Sequence, residues 1–348
     1  MPKSRAKAGP GKVGQTMVFA KAPTILGAAS VVGPREGAGP LSGWFDVIKP
    51  DRLLGQRSWE MAESKMVEEA VDLALAKAGV ERPDLDFLLA GDLLNQIIAS
   101  SFAARNIDRP YVGLYGACST MALAMALGAA LVSAGFARHV GAVSSSHHDT
   151  AERQYRSPTE FGSQRPLTAQ WTATAAGAVV IGPPGQGDLR LTHATIGRVV
   201  DNDQKNPFDM GSAMAPAAAD TIAAHLGDTG RKPDAYDLIV TGDLAAVGQP
   251  LTGDLLAEKG IDLGNRFVDC GKMIYDETQD AHAGGSGCGC SASVFAGYLV
   301  KNLAAGKLRR VLFVGTGALH SPTSYQQGES IPCVAHAVAV ENGRVCGN

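Results

Sequence analysis

The chain has 348 residues, 45% of them hydrophobic and 19% charged, with a formal net charge of −3. This composition excludes a solvated, disordered chain, and it offers no basic face to neutralise the phosphates of nucleic acid. The length allows two domains or one large interlocked body.

The start differs from the rest, with Lys3, Arg5, Lys7 and Lys12 set among Gly, Pro and Ala. Residues 1–16 read as a basic flexible tail, with contact to an anionic membrane as the alternative. A first strand is expected at 16–20, then a Gly/Pro-rich loop over 27–40. Helical spacing runs over 59–78 behind Ser58, a suitable N-cap. A buried strand at 87–90, a helix at 95–104 and a strand at 111–115 follow. Residues 112–137 carry no charge and are long enough to span a bilayer. Gly113, Gly116, Cys118, Ser119 and Thr120 interrupt that stretch, so it reads as strand, turn and buried helix over 119–134. A strand at 140–143 leads into a long polar loop at 147–168. Strands at 177–181 and 189–196 close the first half around the turn Pro183-Pro184-Gly185. Neither a signal peptide nor a transmembrane helix is expected.

The second half repeats the plan: helix 217–226, strand 238–240, helix 251–259, a Gly-rich turn at 284–289, helix 291–302 and strand 311–314. The strings confirm the echo. PDLDFLLAGDL at 83–93 returns as PDAYDLIVTGDL at 233–244, and AGFARHV at 134–140 returns as AGKLRRV at 305–311. This is duplication of a large α/β unit, not a short solenoid repeat. The expected halves are residues 17–198 and 199–348. The expected class is α/β, in five layers α-β-α-β-α with two mostly parallel mixed sheets.

Of the six cysteines (Cys118, Cys270, Cys288, Cys290, Cys333 and Cys346), no two form a C-x-x-C pair. Reduced thiols in a cytosolic setting are therefore expected rather than a zinc site. Asp201, Asn202, Asp203 and Asp209 lack the glycine and distal glutamate of an EF-hand. The turn Gly284-Gly285-Ser286-Gly287 lacks the lysine of a P-loop and reads as a close-packed pocket floor. No cofactor and no metal site is expected.

Cys118, in GLYGACST, is the sharpest candidate for chemistry. At the head of a buried helix a thiol feels the partial positive charge of the N-terminus, which favours thiolate. Unpartnered backbone N–H groups there suit an oxyanion or a carboxylate. A small buried residue tolerated at a tight turn is the competing account.

Longer strings carry a resemblance: SWEMAE (58–63), LLAGDLLNQ (88–96), GACST (116–120), TAERQYRSPTE (150–160), DMGSAMAPAAADTI (209–222), AGGSGCGCSA (283–292), GTGALHSP (315–322) and ESIPCVAHAV (329–338). Through them the chain resembles the stage V sporulation protein AD family, within the thiolase and ketoacyl-synthase superfamily. The likeness covers all but the first sixteen residues. It implies a Cys nucleophile partnered by a His after the second half's apolar strand and an Asn or His in its Gly-rich turn. Here those places hold Thr241-Gly242-Asp243 and Gly284-Gly285-Ser286-Gly287. The nucleophile is kept and both partners appear replaced, so the resemblance implies a binding protein, not an enzyme.

The implied ligand is dipicolinic acid, alone or as its calcium chelate, taken up into the developing spore. Membrane-embedded proteins of the same operon are the implied partners, at the inner, forespore-derived spore membrane. A homodimer is implied too. Candidate ligand-binding residues are Cys118, Ser119, His147, Arg153, Thr241, Asp243, Gly285, Ser286 and His336, with Arg156 and His282 as further candidates. Paired donors from an arginine suit a carboxylate. Surface pairing with Glu152 or Glu160 is the other account of Arg153 and Arg156. Two rival functions remain: an acyl-transferring or condensing enzyme in which Cys118 recruits His147, His282 or His336, and a purely structural adaptor.

Overall fold

The computed structural model describes residues 11–155 and 165–346. In chain order the first half contains β1 (Gly11–Val13), β2 (Thr16–Val18), β3 (Thr24–Val32), α1 (Pro34–Gly37), β4 (Val47–Ile48), α2 (Trp59–Ala78), β5 (Phe87–Gly91) and α3 (Ile98–Ile107). It continues with β6 (Tyr111–Gly113), α4 (Thr120–Ser133), β7 (Val140–Ser146), α5 (His148–Tyr155), β8 (Trp171–Thr172) and β9 (Ala175–Gly182). Next come β10 (Leu189–Val200), α6 (Met210–Thr229), β11 (Leu238–Thr241), α7 (Ala245–Ala257), β12 (Phe267–Asp269), α8 (Cys270–Ile274) and β13 (Gly285–Ser286). The chain ends with α9 (Cys288–Val294), α10 (Val300–Ala304), β14 (Arg310–Ala318), α11 (Pro322–Gln326), β15 (Cys333–Asn342) and α12 (Gly343–Cys346).

The duplication is visible in the strand order, β12-β11-β14-β15-β10-β3-β9-β7-β5-β6. Each half has a parallel outer trio, β6-β5-β7 or β12-β11-β14, followed by two antiparallel neighbours, β9 and β3 or β15 and β10. The two expected sheets are hydrogen-bonded into one. Leu189 and Arg190 of β10 pair with Ile25 and Thr24 of β3, which makes a continuous 13-stranded sheet.

Helices α2 and α3 cover the first half-sheet on one side, and α6 with α7 covers the second. Between the half-sheets lie α4 and α9, each touching strands of both. Five layers result. Met121, Ala122, Met125 and Ala126 of α4 are fully buried, as a helix apolar on every side must be. Small residues let the layers close: a Cβ on Gly317 would stand 2.2 Å from the Gly116 carbonyl.

Local signals set the repeated helices. Ser58 Oγ accepts from the Met61 N–H at 3.3 Å, and Asp209 Oδ1 accepts from Ser212 N–H at 3.2 Å. Each such cap is worth about 1 kcal/mol. Gly79 at φ 64° and Gly230 at φ 66° end α2 and α6 in the left-handed conformation.

Several expectations are corrected. Residues 27–32, read as loop, lie in the central strand β3; Gly27 is there because a Cβ would stand 2.2 Å from the Ala74 carbonyl of α2. The polar stretch after residue 147 opens with α5 rather than loop. Strands β9 and β10 do not form a hairpin, because β3 lies between them in the sheet. Lys12 sits in β1, while Lys3, Arg5, Lys7 and Arg156 fall outside the described residues. Among the described residues no helix is long and apolar enough to cross a membrane.

Candidate functional site

Cys118 lies where β6 turns into α4, between the half-sheets. The turn is strained: Ala117, a non-glycine residue, takes φ 47°. Such strain persists only where surrounding contacts hold it, and it clusters at functional sites. Here Ser119 Oγ donates to the Gly116 carbonyl at 2.6 Å and Thr120 Oγ1 donates to the Ala117 carbonyl at 2.7 Å. Ser119 is thus buried in the turn rather than presented to a ligand.

The Cys118 thiol meets the Asp243 carboxyl, which follows β11 in the second half. Asp243 Oδ2 accepts from Gly287 N–H at 2.9 Å and Ser286 Oγ at 3.1 Å, and Oδ1 accepts from Thr316 Oγ1 at 2.8 Å. Behind it Asp269 fixes the loop. Its Oδ2 accepts from Thr241 Oγ1 at 2.7 Å and Leu244 N–H at 2.8 Å, and its Oδ1 from Ala245 N–H at 2.9 Å. Thr241 therefore holds the loop and does not face a ligand.

Electrostatics overturns the expectation of a lowered thiol pKa. Burial pushes Cys118 well above the usual thiol range, and the charges of Asp243 and Cys288 add to the effect. Desolvation outweighs the helix N-terminus because the thiolate would have no water and a carboxylate beside it. Burial also raises Asp243 itself, and raises Asp269 to about 6. Cys118, Cys270, Cys288, Cys290 and Cys333 are all free and buried.

In front of Cys118 is a cavity of about 60 Å³. Thr172, Ser286, Tyr155 and His320 give it polar edges, and Leu93, Ala151, Met210 and Met214 are among its apolar walls. Strand alternation decides which side chains reach it. β8 pairs with β13, Trp171 opposite Gly285 and Thr172 opposite Ser286. Thr172 and Ser286 face the cavity, whereas a Cβ on Gly285 would stand 2.6 Å from Ile274 Cγ2, inside the core.

The other candidates lie elsewhere. His147 is buried; its Nε2 bonds the Arg52 carbonyl at 2.8 Å and its Nδ1 accepts from Asp149 N–H at 3.2 Å. Arg153 pairs with Glu60 and lies 5.5 Å from the Trp59 ring. His336, on β15, accepts from Gly197 N–H at 3.2 Å, and burial lowers its pKa to about 4. His282 bonds the Pro166 carbonyl at 2.9 Å. Asp201 accepts from Asp203 N–H and Ser330 Oγ, and no group of metal-ligating side chains occurs among the described residues.

Three polar pocket residues escaped the sequence reading: Thr172 of β8, Tyr155 and His320. Tyr155, at the end of α5, donates its hydroxyl to the Leu93 carbonyl. His320 stands 5.5 Å from the Tyr155 ring. The duplication carried the missed signal: His320 follows β14 as His148 follows β7, two residues beyond the strand.

A model of the stage V sporulation protein AD family matches residues 13–341. The chain belongs to that family. It is 49% identical over 327 residues to stage V sporulation protein AD of Bacillus subtilis (strain 168), covering 94% of this chain and 96% of that protein. Solved structures of the same fold include 3-oxoacyl-[acyl-carrier-protein] synthase III from Aquifex aeolicus VF5, at TM-score 0.55 and 14% identity, covering 92% of this chain and 100% of that one. Cerulenin-bound OleA from Xanthomonas campestris matches at TM-score 0.61 and 18% identity, covering 94% and 99%. These two likenesses establish the thiolase-like fold and no more.

Proposed function

We propose that this sporulation protein uses the Cys118 cavity to bind dipicolinic acid, free or as its calcium chelate, and supports its uptake into the developing spore without catalysing a reaction. One observation carries the reading: the charged group beside the Cys118 thiol is a buried carboxyl, Asp243, rather than an imidazole. A carboxylate there opposes formation of the thiolate, and a general base contributes about two to four orders of magnitude in such chemistry. The cavity retains what a flat carboxylate needs: the Thr172 hydroxyl, the His320 imidazole and apolar walls for the ring. The protein works at the inner spore membrane with membrane-embedded partners of its operon.

A homodimer goes with this reading. β6 is the outer strand of the first half-sheet, and Ile98, Phe102, Val112 and Tyr115 are exposed on and beside it. An open edge flanked by apolar side chains suits antiparallel pairing with a second copy.

The rival reading, an acyl transferase, has one observation in its favour: His320 and Cys118 line the same cavity. Mass spectrometry after incubation with acyl thioesters separates the two. A binding protein leaves Cys118 unmodified, whereas an enzyme yields an acylated Cys118 that a His320→Ala variant fails to form.

A further inference from the structure

Between β5 and α3 runs a short segment, 92–97, that reaches the Cys118 cavity at one end and the outer edge of the sheet at the other. Leu93 lines the cavity. Its carbonyl accepts from Gln154 Nε2 at 3.0 Å and from the Tyr155 hydroxyl, while Gln154 Oε1 accepts from Asn95 N–H at 2.7 Å. A single side-chain amide of α5 therefore clamps the segment on both sides of Leu94. Asp92 ties the same segment to α3, its Oδ1 accepting from Leu94 N–H at 2.8 Å and its Oδ2 from Ser100 N–H at 2.7 Å.

The far end is strained. Gln96 (φ 57°, ψ 21°) and Ile97 (φ 46°, ψ 49°) are both left-handed. A β-branched residue avoids that region, because its Cβ crowds the following carbonyl. Where only a turn is needed the chain uses glycine, as at Gly79 and Gly230. Here the half-buried Ile97 side chain fills the space that Gly113 of β6 leaves open: a Cβ on Gly113 would stand 2.5 Å from Ile97 Cδ1. Beside it Ile98 and Phe102 of α3 and Val112 of β6 are exposed. A second link runs alongside, since Tyr115, just after β6, stands 3.5 Å from Tyr155, hydroxyl to hydroxyl.

Left-handed backbone at a branched residue persists only where surrounding contacts hold it. Those contacts are Gln154 and Tyr155 on the cavity side and Gly113 on the edge side. A body in the cavity packs on Leu93 and reinforces the first set. A body on the edge covers Ile98 and Phe102 and reinforces the second. Each leaves less ordering for the other to supply, which couples the two places without contact between their occupants.

We infer that segment 92–97 is a strained coupling element, through which occupancy of the Cys118 cavity and packing on the α3–β6 edge strengthen one another. The identity of the two occupants, dipicolinate and a second copy of the chain, rests on the function proposed above; the coupling rests on the segment. Linkage makes the effect reciprocal.

Hydrogen exchange of the full-length protein, read by mass spectrometry on peptides covering 98–113, tests this. The cavity is filled with a probe that needs no affinity: iodoacetamide, which leaves a carboxamidomethyl group on Cys118, with Cys118→Ser treated alike as the control. Amides of α3 and β6 are expected to exchange about fivefold or more slowly in the alkylated wild type than in the unmodified protein. Ile97→Gly adopts the left-handed turn without strain, so it should fold and lose that response. Ile97→Val keeps the branched side chain and should retain it. Protection by the alkyl group but not by saturating dipicolinate upholds the coupling and counts against the proposed ligand. Equal exchange in alkylated and unmodified wild type, or an undiminished response in Ile97→Gly, overturns the inference.

Discussion

The thiol of Cys118, from the first half of the chain, stands beside the buried carboxyl of Asp243, from the second. The two do not occupy equivalent places: Asp243 follows β11, whose counterpart in the first half is β5 with Asp92 after it, whereas Cys118 follows β6 at the head of central helix α4. The duplicated fold brings the two together, and their chemistry decides that the thiol stays protonated.

Replacing the carboxylate by an amide makes the thiol easier to ionise. In Asp243→Asn, alkylation of Cys118 by iodoacetamide at mildly alkaline pH quickens about threefold or more, read by peptide mass mapping. The variant also melts lower, because the amide offers one acceptor oxygen where the carboxylate uses two, toward Gly287 and Ser286 on one side and Thr316 on the other, a penalty of about 1–3 kcal/mol. An unchanged alkylation rate would mean that Asp243 already carries the proton.

A second buried acid gives the protein a pH signature. Glu63 accepts from Ser145 Oγ and Thr150 Oγ1, each at 3.0 Å. Burial first, and then the Asp92 charge, raise its pKa from 4.5 to about 8. A folded pKa above the unfolded one means that the native state holds the proton more tightly. Its stabilising contribution is therefore complete below about pH 4.5 and is lost as the pH rises to about 8. Urea denaturation across that window should show falling stability in the wild type and a flatter profile in Glu63→Gln, which mimics the neutral acid. A wild-type profile already flat there would contradict this account of Glu63.

His320 supplies the pocket's one ring nitrogen pair beside Tyr155. His320→Ala should weaken dipicolinate binding about tenfold or more, as loss of a hydrogen bond to a charged ligand does. Calorimetry checks this, and equal affinity of the two proteins would remove His320 from the site.

Dimerisation through β6 makes its own demand. Phe102→Glu places a charge on the apolar edge beside Val112 and should convert dimer to monomer in sedimentation velocity, with little change in the circular dichroism spectrum. A monomeric wild type would remove the edge-pairing proposal.

How far the sequence could be read depended on which physical signal each residue left. Ser58, Gly79 and the paired PD…GDL strings announced α2, α6 and the strands after them, because caps and turns are local. Cys118, Asp243 and Ser286 were legible from their places in the repeat. Gly285 was not, because only the β8–β13 register shows that it faces Ile274 while Ser286 faces the cavity. β3 was read as loop because its small residues, chosen for contact with α2, resemble turn residues in isolation. Arg153 looked available to an anion until α5 turned it toward Glu60. The thiol's pKa was misjudged because its largest cause, burial, is a property of the packed layers.

The most direct test of the central claim is calorimetric titration of dipicolinate, with and without calcium, into the wild type and an Ala151→Trp variant. Ala151 lines the Cys118 cavity, and an indole there would fill it. Saturable binding to the wild type that the variant loses is the predicted result. Absence of binding to the wild type, or equal binding to both proteins, would contradict it.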